Sequence, residues 1–360
     1  MIYWLFFISL GILSWANINF LLEKNVYIVY SLIVLIFLGM SFLRWERGTD
    51  WDSYYIVFLS SANVLPREYE IGFGYLNYFT RNITDSFTVF LFINGLILYL
   101  SKYQVVYKFS IFPIVSLWVY FSTGFGDIFF VRQNVAVAIT FIALFFVIKR
   151  KPIYFTLTVV CAAFIHISAL AFLISYKIYY LKLSKKSQIT LCFLTLILLL
   201  IVSLLQNELF NLFARANISL LAKFATYFNS SVDQASGAGS PMFILIKGLL
   251  NRVLMLLLIK LIAKWIPNYD NDMRGFINIY VIGIIFFALT ALFSPSLGRI
   301  GYYFFSVEGI LIANLFSVKY TPQNKTILFL IVLVYLFVRF YGVLYGEYSE
   351  LYLPYNTIWD

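Results

Sequence analysis

Along this chain apolar residues gather in long runs separated by short polar clusters. Runs at about 2–21, 27–43, 84–100, 111–123, 130–148, 153–165, 166–181, 188–205, 241–263, 275–293, 300–317 and 326–341 predict twelve helical membrane segments, some of them short or broken. The opening run lacks a basic leader and a small-residue cleavage site, so it reads as a retained span. Two polar stretches stand out between runs. The first, 44–83, reads as an outer loop beginning "RWERGTDWDSYY". The second, 206–240, repeats Leu209, Phe213, Leu220, Phe224 and Phe228 near helical spacing and then becomes rich in Gly and Ser, which predicts a surface-lying amphipathic helix with slack behind it.

Composition turns this pattern into a fold class. With 62% hydrophobic and 12% charged residues and a mean hydropathy of +0.89, the 360-residue chain holds more apolar surface than a soluble core could bury. It reads as all-α, a single integral polytopic membrane domain over 1–360. Cys161 and Cys192 lie inside apolar runs and suggest packing, not a disulfide or a metal site. The net charge of +10 sits at the ends of spans, where it acts on membrane lipid and topology. Nucleic acid is therefore not the expected partner.

Threading the runs alternately collects Lys24, Lys102, Lys108, the Lys149–Lys151 cluster, Lys182, Lys185, Lys186, Lys260, Lys264, Arg274, Lys319 and Lys325 on one side, which the positive-inside rule makes cytoplasmic. The scheme needs residues 153–181 to enter and return, because a single crossing there would invert every later loop against its charges. A short hairpin turning near Ile165 to Ser168 satisfies it, with His166, the one histidine, at the turn. In this orientation thirteen of fifteen lysines face the cytoplasm, while nine of eleven arginines and twelve of sixteen acids face outward. Topology asks only for positive charge. The planar forks of Arg44, Arg47, Arg67, Arg81, Arg132, Arg215, Arg252, Arg299 and Arg339 suit bidentate phosphate or carboxylate contacts, so an anionic ligand on the outer face is expected.

Each candidate has a plainer reading beside it. Asp50 and Asp52 in "RGTDWDSYY" could decorate an interfacial aromatic belt, hold a divalent metal, or take part in chemistry. Asp127, Arg132, Gln133 and Asn134 cover more of a helix circumference than lipid tolerates, so part of that turn faces a polar cavity or a partner; an Asp127–Arg132 ion pair is the structural alternative. His166 is either a core histidine or a general base. In "GRIGYYFF", Arg299, Tyr302, Tyr303 and Ser306 share a helical spacing. Arg252 and Glu308 fall at similar depth and predict an interhelical pair, functional or structural.

Taken in order, "RGTDWDSYY", "RQNVAVAI", "FIHISAL", "GRIGYYF" and the terminal "YLPY" of 352–355 make the chain resemble the EpsG family, within the broader Wzy class of bacterial polysaccharide polymerases. The resemblance implies a GT-C-like helical fold in the bacterial cytoplasmic (inner) membrane, with an outward-facing site and no cofactor. It also implies undecaprenyl-pyrophosphate-linked oligosaccharide as substrate, with a chain-length regulator as a candidate partner. By position it gives pyrophosphate binding to Arg132 and Arg299, base catalysis to His166 or Asp50, and the sugar path to Trp51, Tyr302 and Tyr303, with Arg47, Gln133 and Arg252 as further substrate contacts. Two rivals stay open: a metal-dependent GT-C glycosyltransferase that uses polyprenyl-phosphate sugars through Asp50 and Asp52, and a lipid-linked oligosaccharide flippase. The second needs a polar cavity open to both faces, which the lysine-rich, acid-poor cytoplasmic side disfavours.

Overall fold

The computed structural model describes residues 1–22, 24–182, 197, 208, 241–266, 272–291, 295–346 and 348–360. The expected amphipathic segment 206–240 and the run 188–205 lie outside them, apart from those two isolated positions. The chain divides into two compact units. One comprises Met1–Tyr176, Trp265–Tyr269 and Glu308–Asp360, and the other Lys177–Lys264 and Asp270–Val307.

The first unit contains α1 (Ile2–Ile18), α2 (Val26–Leu43), α3 (Trp51–Ser60), α4 (Ile71–Ile83), α5 (Phe87–Phe109), α6 (Pro113–Gly124), α7 (Arg132–Ile148) and α8 (Pro152–Ile165). Among the described residues no strand forms; the only sheet-like pairing is one antiparallel bridge between Arg44 and Thr357. Among the described residues, four helices are long and apolar enough to cross a membrane: α2, α5, and two later ones, Arg274–Ala291 and Pro322–Leu344. Several others, α1, α7 and α8 among them, are apolar but shorter. This is a helical membrane protein.

At the centre of the first unit is α6. Pro113 opens it, where its missing N–H costs nothing, and every side chain from Pro113 to Ser122 is buried. It packs against α1, Glu308–Leu315 and Pro322–Leu344. Phe7 of α1 stacks on Phe340 at 4.8 Å, and Trp118 of α6 contacts Phe7 at 5.6 Å. With lipid as solvent, close packing of this kind holds helices together where the hydrophobic effect gives little. The helix stops because Phe125, Gly126 and Asp127 all take left-handed backbone, with φ of 50°, 62° and 68°. Only glycine fits at 126, since a Cβ there would lie 2.7 Å from the Phe37 ring.

The stretch 44–83, expected as a loop, folds into α3 and α4. Helix α4 buries Phe73, Gly74, Asn77 and Thr80 on one face and leaves Ile71, Tyr75, Phe79 and Ile83 exposed on another, the pattern of a helix lying in a membrane interface.

The hairpin deduced from the charges of 153–181 is present. Helix α8 ends at Ile165 and His166 turns the chain with extended backbone (φ −153°, ψ 115°). A 3₁₀ segment, Ile167–Ile174, then runs back into α9 (Ser175–Tyr179). Phe155, near the start of α8, meets Phe172 at 6.2 Å and Tyr176 at 5.2 Å, so the two limbs lie side by side.

The second unit is built from α10 (Pro241–Ala263), α11 (Arg274–Ala291) and short turns at Pro295–Gly298, Arg299–Gly301 and Tyr302–Phe305. Returning to the first unit, the chain forms α12 (Glu308–Leu315) and α13 (Pro322–Leu344). The run 300–317, read as one span, is thus several pieces that fall in both units.

Candidate functional site

The charges of "RWERGTDWDSYY" divide by role once their partners are known. Arg44 is buried; its Nη1 donates to the Ile128 carbonyl at 2.7 Å and its guanidinium lies over Phe129. Arg47 Nη1 donates to the Glu350 carbonyl at 3.2 Å. The backbone around them grips the C-terminal segment: Trp45 N–H donates to Asn356, Gly48 N–H to Leu351, and Ile358 N–H to Leu43. At Gly48, φ is 113° and a Cβ would sit 2.9 Å from the Phe129 carbonyl oxygen, so only glycine admits this close approach. The "YLPY" stretch is part of the same latch, with Tyr355 O–H donating to Met40 and Tyr3 O–H to Tyr352. Arg47, expected on the substrate, bonds the tail through Nη1.

Trp51 is also turned inward. It packs among Trp45, Tyr55 and Phe87 in an aromatic cluster beneath α3, so its ring faces protein. Asp50 and Asp52 are exposed, with Asp50 capping α3 in left-handed backbone. Among the described residues no group of three or more His, Cys, Asp or Glu gathers as a metal site would require.

Asp127 and Arg132 do not pair with each other. Asp127 Oδ2 receives Lys102 Nζ at 2.6 Å and Tyr103 O–H at 3.2 Å, and its Oδ1 receives Asn134 Nδ2 at 2.8 Å. Lys102, grouped by its sequence context with the cytoplasmic lysines, is instead buried within α5. It lies 4.2 Å from the Tyr120 ring centroid. The apolar run stops near Lys102, but the helix continues to Phe109 because Asp127 neutralises the ammonium there.

Arg132 opens α7 at the end opposite the Lys149–Lys151 cluster. Its Nε donates to Glu70 Oε2 at 2.9 Å, and its Nη2 donates to the same oxygen. The guanidinium lies 4.7 Å over the Tyr69 ring and 5.9 Å from Phe73. The other oxygen of Glu70 accepts the Ile167 N–H at 3.1 Å, at the His166 turn. Within that turn His166 Nδ1 and Ser168 Oγ are hydrogen-bonded at 2.6 Å. One carboxylate therefore ties together the first turn of α7, the entry to α4 and the hairpin.

Burial alone would raise the Glu70 carboxyl, but the Arg132 charge and the Ile167 N–H hold it below the usual carboxylate range. The neighbouring Tyr69 phenol is raised, chiefly by burial, against the lowering pull of the Arg132 charge. Of this cluster the sequence pattern points to Arg132 and His166 and does not point to Glu70 or Tyr69. The short charged string "REYE" of 67–70 was their only signal.

Arg252 and Glu308, expected to pair, each have partners within their own unit. Arg252 is buried between the rings of Phe287 and Phe305, at 4.3 and 4.0 Å, and donates to the Gly248 carbonyl. Glu308 accepts from Tyr335 O–H, which in turn accepts from Arg339 Nη1 at 2.9 Å. Arg299 starts its 3₁₀ turn half-buried. Tyr302 is 42% exposed and Tyr303 fully buried, so the two adjacent rings do not share one surface.

Residues 27–357 match the EpsG family. No curated protein and no solved structure matched the chain. The match spans nearly the whole chain and takes in most of the latch, the Arg132 cluster and the His166 turn: this helical membrane protein belongs to the EpsG family, which is associated with polysaccharide-polymerase-like roles.

Proposed function

We propose that the protein polymerises undecaprenyl-pyrophosphate-linked oligosaccharide repeat units by glycosyl transfer at the outer face of the cytoplasmic membrane. The acceptor sugar hydroxyl attacks the anomeric carbon of the donor glycan. The bond from that carbon to the pyrophosphate oxygen breaks, the hydroxyl proton passes to a base, and the lipid pyrophosphate leaves.

The observation that carries this reading is the half-open state of Arg132. Glu70 engages Nε and Nη2, while Nη1 has no hydrogen-bond partner among the described residues. A cation in the first turn of a helix adds to the positive end of the dipole, which favours an anion in front of it. A leaving pyrophosphate develops charge that such a group neutralises best in a site with little water. In this reading His166, hydrogen-bonded to Ser168 at a turn that Glu70 joins to Arg132, serves as the base, with Asp50 as the alternative.

The test is the glycan on lipid carriers of a deletion strain. Single repeat units at the outer face support polymerisation; carriers loaded only on the inner face point to a flippase. A cysteine placed at the exposed Asn63 should label from outside. Should Asp50 and not His166 be the base, Asp50→Asn would shorten chains far more than Asp52→Asn and be indifferent to EDTA, since base catalysis is worth roughly 10²–10⁴-fold. Equal loss in both, with chelator sensitivity, would indicate the metal-dependent rival.

A further inference from the structure

We infer that Glu70 is a positioning residue for glycosyl transfer, holding the Arg132 guanidinium and the His166 turn in a single register. This rests on the Arg132 cluster being the transfer site. The two oxygens of Glu70 have separate duties: Oε2 takes two guanidinium nitrogens of Arg132, and Oε1 takes the Ile167 N–H. The Ile167 amide needs an outside acceptor. The last helical bond of α8 runs from His166 N–H to the Ala162 carbonyl, and the extended backbone at His166 breaks the ladder after it.

Glu70 reaches this amide because α4 and α8 approach backbone to backbone. A Cβ at Gly72 would lie 2.7 Å from the Phe164 carbonyl oxygen, so any larger residue there would push α4 away from the turn. A glutamine offers a single acceptor oxygen and no charge, and an aspartate is one methylene shorter; neither can do both jobs equally. Nor does Glu70 suit the role of base. A carboxyl held below its usual range by a bonded arginine accepts a proton poorly at neutral pH. Its contribution is geometric, through Arg132 and His166.

The experiment uses the full chain reconstituted in vesicles with a lipid-pyrophosphate-linked repeat unit, comparing wild type with Glu70→Gln, Glu70→Asp and Glu70→Ala. Turnover and KM are measured together with hydrogen–deuterium exchange of the peptide carrying residues 165–170. Positioning predicts that Glu70→Gln and Glu70→Ala lower kcat about 100-fold, the scale of a misplaced reacting group. KM should stay within about threefold, because loss of a negative charge does not weaken anion binding. Exchange at the Ile167 amide should rise about tenfold, and Glu70→Asp should fall between. Unchanged exchange would overturn the docking, and faster exchange with normal kcat would overturn its role in transfer. A raised KM with normal kcat would also overturn it, making Glu70 a ground-state binding group. If wild type forms no polymer, the transfer reading fails, and the exchange data still decide whether Glu70 docks the turn. Should Glu70→Ala not fold, the nearly isosteric Glu70→Gln supplies both measurements.

Discussion

Asp127 and Arg132 stand five positions apart and both carry charge into a mostly apolar protein, yet their surroundings are opposite. The Lys102 and Asp127 side chains are 5% and 9% exposed, and each oxygen of Asp127 is hydrogen-bonded. The Arg132 and Glu70 side chains are 20% and 16% exposed, one guanidinium nitrogen has no hydrogen-bond partner among the described residues, and their carboxylate is shared with a turn. A saturated pair has nothing to offer a ligand and so belongs to the fold. An unsaturated one, at a helix start and joined through Glu70 to the turn at His166, has capacity to spare. The difference shows that an intramembrane charge becomes a site candidate through its unused bonding capacity, and depth alone does not decide it.

Breaking the buried pair should have the largest effect. Asp127→Asn keeps a residue tolerant of left-handed backbone but leaves the Lys102 ammonium uncompensated, a loss on the scale of ~3–5 kcal/mol. The melting temperature in detergent should drop sharply, and adding Lys102→Met should recover much of it. Stability unchanged in the single mutant would move this pair out of the structural category.

Arg132→Ala should behave in the contrary way. Polymer formation in cells should fall by about 10²–10³-fold at matched membrane levels, with the melting temperature within a few degrees of wild type. Arg132→Lys should rescue poorly, because a point charge cannot serve Glu70 and an anion with separate edges of one fork. Full activity with Lys would mean that charge alone is at stake.

A smaller effect separates the pairs by pH. The Glu70 carboxyl is lowered in the folded state, so its stabilisation is fully present above the unfolded carboxylate value of about 4.3 and is lost as pH falls through the folded value. The melting-temperature gap between wild type and Glu70→Gln should be constant from pH 8 to about 5 and close below about 4. For a partly exposed pair it should correspond to no more than about 1 kcal/mol. A gap that closes near neutrality would assign the titration to another group, His166 first.

Much of this arrangement was legible in the sequence where charge bookkeeping constrained the chain. Two basic clusters bracketing 153–181 forced a return, and the turn is at His166 as the spacing required. Elsewhere the signal lay in partners far along the chain. Glu70 sits in a charged string that reads like any solvated loop, and its arginine is 62 positions away. Lys102 looked like a helix end because only the fold reveals Asp127 beside it. The grip of Gly48 on Leu351 runs through backbone groups, which leave no side-chain signature beyond the glycine. Trp51 and Tyr303 looked available for sugars because aromatic residues near polar clusters read as exposed, whereas both are buried.

The central claim, transfer from a lipid pyrophosphate through Arg132, is tested most directly by counting products. Purified protein in vesicles containing only the lipid-pyrophosphate-linked repeat unit should release one undecaprenyl pyrophosphate for each unit added to a chain, and Arg132→Ala, folded to the same melting temperature, should release almost none. Chains of normal length from Arg132→Ala, or polymer from wild type without matching release of lipid pyrophosphate, would contradict the account.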